Sequence, residues 1–152
     1  MKVINCMKRN VVSIPSTTSI REAASVFVNR HIGLLPITNE NGEPVGVIGL
    51  RDLLSLELPD FVNFIGDVDF VHDFGAVETT RPPANVLDQP VTTLMRPVQT
   101  VYEDCGLLRA YALMLQHNLH DMPVITRKGK LVGIASRVDV GAAILSTWAK
   151  VE

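Results

Sequence analysis

An apolar pattern that recurs after 87 residues constrains this chain more than any other feature of its sequence. Residues 11–55 align with the positions 87 residues further on without any gap. The shared turn and core positions include Pro36 and Pro123, Gly46 and Gly133, and Asp52 and Asp139. A repeat of this kind indicates one supersecondary unit used twice, each copy burying an apolar face against its neighbour.

Each copy opens with a short segment and a helix. Residues 11–14 and 98–101 are rich in β-branched side chains, which predicts a strand. Apolar residues follow at helical spacing, at 20, 23, 24, 27 and 28 and again at 107, 110, 111, 114 and 115. Ser19 and Glu22 predict a capping box. The second copy has Gly106 in place of Ser19, and we expect Asp104 to cap its helix instead.

Two strands and a second helix complete each copy. Asn41-Gly42 and Lys128-Gly129 predict tight hairpin turns, with both residues of Asn41-Gly42 tolerating positive φ. Proline cannot donate to a ladder, so we expect Pro36 and Pro123 at strand starts. Helices should then open at Asp52 and Asp139. The predicted fold class is α/β (α+β), a β-α-β-β-α unit present twice.

These patterns divide the chain into residues 1–56, an insertion or linker at 57–90, and residues 91–152. The insertion has no counterpart in the other copy. Helical spacing of Phe61, Phe64 and Ile65 predicts that a helix continues past Leu58, and residues 67–71 alternate like a strand.

Composition excludes several classes of protein. The 152 residues are 47% apolar and 20% charged, which is typical of a globular protein. A net charge of −2 gives no electrostatic footprint for nucleic acid, and no apolar run has the length to cross a membrane. Without a signal-peptide pattern we expect a cytoplasmic protein, with Cys6 and Cys105 as free thiols.

The repeated motifs resemble a pair of CBS domains, the family named after cystathionine β-synthase. The resemblance rests on residues 34–37 and 121–124, on the Gly-to-Asp stretches 46–52 and 133–139, and on Met7 and Met95. Met7 and Met95 lie one position off the common register. The resemblance implies two repeats packed as a pseudo-twofold pair, a homodimer, and a regulatory module that senses cellular energy and signals to a partner protein.

The resemblance also implies an adenosyl ligand such as AMP, ADP, ATP or S-adenosylmethionine, with no cofactor required. We expect the main site in the second repeat. Asp139 suits ribose hydroxyls, while Ser136, Arg137 and the helix N-terminus suit a phosphate. The family pattern adds the Thr100 hydroxyl. The expected adenine contacts are apolar Val98, Leu119 and Met122, and the backbone near Pro123.

The first-repeat site keeps Ser13, Arg51 and Asp52, but Gly49 stands where Ser136 stands. Losing a hydrogen bond to a charged group costs about 1.5–3 kcal/mol. We therefore expect the first-repeat site to bind more weakly than the second, or not at all.

Plainer interpretations compete with each of these. Aspartate often caps helices, so Asp52 and Asp139 are also explained as helix caps. Arg51 and Arg137 are also explained as solvated surface charges. His117 and His120 are three residues apart, but we expect the helix to end between them, and the other copy has Arg30 and Gly33 at these positions, so we expect no metal there. A metal-dependent enzyme would use Asp67, Asp69 and His72; the sequence lacks motifs of catalysis, so we expect no enzyme. The main alternative is a dimerising scaffold without a ligand, whose partner surface is 57–90 with Phe61, Phe64, Phe70 and Phe74 as anchors.

Overall fold

The computed structural model describes residues 1–57 and 81–149. The predicted anchors Phe61, Phe64, Phe70 and Phe74 and the acidic group Asp67, Asp69 and His72 lie outside these residues. The chain forms two compact units. One comprises Met1–Pro15, Pro36–Val47 and Arg96–Glu152, and the other comprises Ser16–Leu35 and Ile48–Met95.

Both repeats have the predicted order of elements. The first contains β1 (Ile14–Pro15), α1 (Ile20–Arg30), β2 (Leu34–Thr38), β3 (Pro44–Gly49) and α2 (Leu50–Leu54). A short helix α3 (Ala84–Leu87) follows the undescribed segment. The second repeat contains β4 (Val101–Tyr102), α4 (Leu107–Gln116), β5 (Asp121–Ile125), β6 (Leu131–Ser136) and α5 (Arg137–Trp148). Single 3₁₀ turns, Val3–Asn5 and Val91–Thr93, precede the repeats.

Two three-stranded sheets, ordered β1-β2-β3 and β4-β5-β6, confirm the α/β fold class. In the second sheet, β4 runs parallel to β5 and β5 runs antiparallel to β6. The opening strands start later than predicted and have only two residues, since pairing begins at Ile14 opposite Ile37 and at Val101 opposite Val124.

The two prolines lie in the middle of their strands and not at the strand starts, so that prediction was wrong. Pro123 faces Ile134 across the β5–β6 ladder. Ile134 directs both its N–H and its C=O to Lys8 on its other side, at 2.9 Å each. Ile134 therefore makes no hydrogen bond to Pro123, and the proline's missing N–H leaves no acceptor on β6 unpaired.

The hairpin turns lie where predicted but have another geometry. Only Gly42 (φ 77°) and Gly129 (φ 85°) have positive φ, whereas Asn41 does not. Gly42 N–H donates to Asn39 O at 3.0 Å, and Asn39 N–H donates to Glu43 O at 2.9 Å. Each loop therefore has three residues and ends in a left-handed glycine.

The segment ahead of each repeat completes the other repeat. In the first unit, Val3 N–H donates to Cys105 O at 2.9 Å, and Lys8 exchanges two backbone hydrogen bonds with Ile134. In the second unit, Val91 N–H makes the corresponding bond to Thr18 O at 2.8 Å. The preceding segments are related by an offset of 88 residues and the repeats by 87, which accounts for the displaced register of Met7 and Met95.

The N-terminal segment is also part of the core of the second repeat. Val3 and Met7 are buried in one apolar cluster with side chains from the second repeat. Its buried members from the strands and helices are Val101, Leu107, Ala110, Met114, Met122, Val124, Ala135 and Val140. Burial of apolar surface therefore holds residues 1–8 against this repeat in addition to their hydrogen bonds.

The first helices of the two repeats begin differently. Ser19 Oγ accepts a hydrogen bond from Glu22 N–H at 3.1 Å, as the capping box predicts. Gly106 gives α4 no side-chain cap. Asp104 does not take over this role, because its carboxylate pairs with the Arg127 guanidinium through two bonds of 2.9 Å.

Gly133 permits the close approach of the segment that precedes the first repeat. A Cβ atom at Gly133 would lie 2.6 Å from Met7 Sδ and 2.8 Å from Lys8 O. We predict that Gly133→Ala lowers the free energy of unfolding by about 1–3 kcal/mol, as overpacking does elsewhere. Urea denaturation measures the change.

Gly33→Ala is the matched control, since a Cβ atom there meets nothing within 4 Å. An unfolding midpoint of Gly133→Ala equal to that of Gly33→Ala would show that the two segments are not in this close contact.

Candidate ligand site at the head of the last helix

Ser136 and Asp139 form a reciprocal pair at the start of α5. Asp139 N–H donates to Ser136 Oγ at 3.0 Å, and Ser136 N–H donates to Asp139 Oδ2 at 3.0 Å. Ser136 is the N-cap of the helix and Asp139 is its third residue. Asp139 therefore does help to cap the helix, which was the plainer interpretation of this residue. The two hydrogen bonds hold both side chains in a fixed, half-buried arrangement.

Arg137 is hydrogen-bonded to the loop that follows α4. Its Nε donates to Leu119 O at 2.5 Å, and its Nη2 lies 3.4 Å from Asn118 Oδ1. Its backbone N–H donates to His120 O at 2.9 Å. The guanidinium is partly buried and partnered within the protein, and is not a freely solvated charge.

Lys8 reaches this site from the segment ahead of the first repeat. The Lys8–Ile134 pairing places its ammonium Nζ 3.9 Å from Asp139 Oδ2. The Lys8 side chain is 68% exposed, and that of Asp139 is 18% exposed. Such a loose, solvent-exposed ion pair contributes little to stability, so Lys8 mainly sets the local charge.

Asp121 places a second carboxyl group beside this pair. Asp121 lies directly opposite Ser136 in the β5–β6 ladder, so the two side chains share one face of the sheet. Burial is the main cause that raises the pKa of Asp121, and the charge of Asp139 adds to it. Lys8 and His120 act in the opposite direction.

The predicted adenine contacts differ in their exposure. Val98 and Leu119 are half-buried. Met122 faces Ala135, both have no exposed surface, and both belong to the core cluster. Met122 thus offers no exposed surface to a ring. Pro123 lies on the same face as Asp121 but is fully buried.

Thr100 lies at the end of the sheet where β5 begins and β6 ends. It directly precedes β4, whose first residue pairs with Val124. Thr100 is half-buried, and its hydroxyl makes no hydrogen bond within the part of the chain that the structure describes. This hydroxyl can therefore bond a ligand without breaking an existing contact.

The first-repeat candidates are divided between the two units. Ser13 lies in the first unit, is exposed, and its hydroxyl is 3.4 Å from Thr38 Oγ1. Arg51 and Asp52 lie in the second, where Asp52 Oδ2 accepts from Gly49 N–H at 2.6 Å. This reproduces half of the Ser136–Asp139 pair, because Gly49 has no hydroxyl to return.

Sequence reasoning missed Lys8 and Asp121. Lys8 belongs in sequence to the first repeat, and only the exchange of the preceding segments places it at the second. The displaced register of Met7 and Met95 was the available signal. Asp121 lies two residues before the motif proline, Pro123. Only its pairing with Ser136 across the ladder shows that it lies beside the site.

The comparisons with known proteins identify the family. The family model for the CBS domain matches residues 3–58 and 91–146. The chain therefore belongs to the CBS domain family, as the repeat pattern predicted, and carries the domain twice.

Individual relatives agree. Protein MK0525 of Methanopyrus kandleri is 27% identical over 133 residues, covering 88% of this chain and 57% of its own. The CBS domain-containing protein CBSX2 of Arabidopsis thaliana, a chloroplastic protein, is 29% identical over 145 residues, covering 91% of this chain and 60% of its own. The chain thus spans less than two thirds of the length of these relatives.

Solved structures share the fold. CBSX2 in complex with AMP superposes with a TM-score of 0.71 at 25% identity, covering 97% of this chain and 98% of that one. The CBS domain pair of protein MJ0100, in complex with 5′-methylthioadenosine and S-adenosyl-L-methionine, gives a TM-score of 0.69 at 21% identity, covering 97% and 98%. The second likeness concerns the fold alone.

Within 1–57 and 81–149, no helix is long and apolar enough to cross a membrane. Within the same ranges, no three His, Cys, Asp or Glu side chains come together as metal ligands would.

Because folding raises the pKa of Asp121, replacing this residue by a neutral one should stabilise the protein, by an amount that depends on pH. A carboxyl group whose pKa is raised by folding from 3.8 destabilises the protein when it is ionised. Asp121→Asn should therefore raise the midpoint of thermal unfolding at pH 7. The gain should shrink as the pH falls and should vanish below the unfolded-state pKa. Differential scanning calorimetry across this range measures it.

Glu40→Gln is the control for the loss of one negative charge, because Glu40 is exposed in the β2–β3 turn. A gain at pH 7 that persists unchanged at pH 3 would contradict the assignment.

Proposed function

We propose that this chain is a regulatory CBS-pair module that binds an adenosyl ligand at the head of α5 and signals to a partner protein. The observation that carries the proposal is the fixed Ser136–Asp139 pair, which lies with the unengaged Thr100 hydroxyl at one end of a sheet. The likeness to CBSX2, solved with AMP, supports an adenosyl ligand.

The Asp139 carboxylate has the chemistry to accept hydrogen bonds from ribose hydroxyls. Only Oδ2 is engaged with the Ser136 amide, and the carboxylate has further lone pairs. Val98 and Leu119 supply half-buried apolar surface for a purine. No cofactor is required by this proposal, and it assigns the module to binding and not to catalysis.

Signalling follows from what a ligand would stabilise. Lys8 comes from the segment ahead of the first repeat, whereas Ser136 and Asp139 belong to the second. A ligand that contacts both favours the state in which the Lys8–Ile134 pairing is formed. Regulation by such a population shift requires only that the ligand bind this state better than others. Energy sensing and a cytoplasmic location are part of this proposal.

Binding calorimetry tests the proposed site. Thr100→Val replaces the hydroxyl with a methyl group and breaks no contact within the described residues. We expect one adenosyl ligand per chain, and about tenfold weaker binding in Thr100→Val, in line with a lost hydrogen bond. Asp139→Asn should weaken binding at least as much.

Ser13→Ala is the matched control, since Ser13 is the first-repeat counterpart of Thr100. Absence of binding for AMP, ATP, 5′-methylthioadenosine and S-adenosylmethionine at millimolar concentration would refute the proposed function. Equal affinities of wild type and Thr100→Val for the ligand would show that it does not bind at the Thr100 hydroxyl.

We also propose that the module dimerises through the outer faces of α4 and α5. Large apolar side chains are exposed there, namely Leu108 (75%), Trp148 (67%), Leu115 (54%) and Leu145 (53%). Leu108 and Trp148 also border a groove of about 490 Å³ between these helices. Covering them with a second copy removes apolar surface from water.

Sedimentation velocity tests this interface. Leu108→Glu should convert the dimer to a monomer, because it places a charge on the apolar face. Val45→Glu, on β3 and 44% exposed, should leave the dimer intact. A wild-type monomer at tens of micromolar would refute the dimer.

A further inference from the structure

In the proposed binding mode, in which Asp139 bonds the ribose, the 5′ end of the nucleotide lies close to the acidic groups at the head of α5. Asp121 and Ser136 face each other on one side of the sheet, and Ser136 is bonded to the Asp139 carboxylate. The first-repeat counterpart of Asp121 is Leu34. The second carboxyl group is therefore a particular feature of this site and not of the repeat.

Two of the first three amides of α5 already have acceptors. The first amide of α5, that of Arg137, donates to His120 O, and the third, that of Asp139, donates to Ser136 Oγ. The Asp139 carboxylate also supplies the negative charge that a helix N-terminus favours. A phosphate would have to displace these partners to use the same donors.

The cations nearby do not offset the two carboxylates. The Arg137 guanidinium is held by Leu119 O and Asn118 Oδ1 in the loop that follows α4. Within the described residues, the Lys8 ammonium lies 3.9 Å from Asp139 Oδ2, and its charge also acts to lower the pKa of Asp121. His120 also acts to lower the pKa of Asp121.

We infer that this site, resting on the proposed function, selects an adenosyl ligand with a neutral or cationic 5′ substituent over one with a 5′ phosphate. Asp121 is the residue that determines this selection. A thioether or a sulfonium at the 5′ position meets the two carboxylates without repulsion, and a sulfonium is attracted by them. A phosphate carries up to two negative charges into the same place and is repelled.

Calorimetry with four probes tests the inference at low ionic strength, where screening is weak. The probes are 5′-methylthioadenosine, S-adenosylmethionine, AMP and ATP, which share the adenosine and differ at the 5′ end. In the wild type, both sulfur compounds should bind at least tenfold more tightly than AMP, and ATP should bind most weakly.

Asp121→Asn then removes one charge and keeps the shape of the side chain. AMP should bind about tenfold more tightly to this variant, as expected for loss of a nearby like charge. S-adenosylmethionine should bind more weakly, and 5′-methylthioadenosine should be unchanged. Glu40→Gln removes a charge elsewhere and should alter none of the four affinities. Asp121→Ser provides a second, smaller replacement with the same expected order.

The results distinguish failure of the inferred selectivity from failure of the proposed function. Tighter binding of AMP than of 5′-methylthioadenosine in the wild type, with no response to Asp121→Asn, overturns the inference and leaves the proposed function standing. Absence of binding for all four probes overturns both.

Discussion

The exchange of two backbone hydrogen bonds between Lys8 and Ile134 is the interaction on which the rest of this structure depends. It extends the second sheet by a segment that belongs in sequence to the first repeat. Gly133 makes it possible, because any side chain there would collide with Met7 and Lys8. The same exchange buries Val3 and Met7 in the core and delivers the Lys8 ammonium to Asp139. Folding and the candidate site are thus linked through one short segment.

The two copies of the repeat keep the same scaffold but differ at the positions that carry chemistry. Ser136 has a hydroxyl where Gly49 has none, and Asp121 is acidic where Leu34 is apolar. Both aspartates reach back to a backbone amide at the head of their helix, so Asp52 and Asp139 have the same structural role. A shared capping function explains why the acid is present twice. The Ser136 hydroxyl and the Asp121 carboxyl group have no counterpart in the first copy, and they distinguish the second copy as the proposed ligand site.

The family, the order of elements and the core faces of the helices could be predicted from the sequence, because the repeat doubles every weak signal. Ile20, Ala23 and Phe27 are buried as the helical spacing requires, and so are Leu107, Ala110 and Met114. Val28 and Leu115, which the spacing placed on the same faces, are instead 70% and 54% exposed. The position of Pro123 could not be predicted, because the rule against proline inside a strand assumes that the opposite residue needs its N–H, whereas Ile134 bonds Lys8 instead. Met122 is a suitable residue type for the apolar wall of an adenine site. The pairing register, however, places it on the core side of the sheet. Long-range pairing likewise determines the positions of Lys8 and Asp121, which local patterns do not encode.

The central claim is that an adenosyl ligand is held by the Asp139 carboxylate at the head of α5. A crystal structure of the chain grown with 5′-methylthioadenosine tests it most directly. The account predicts electron density for one nucleoside per chain, with ribose hydroxyls about 2.6–3.2 Å from the Asp139 carboxylate and the 5′ sulfur on the side of Asp121. Density beside Asp52 alone, or an empty Asp139 site in crystals grown at saturating nucleoside, would contradict it.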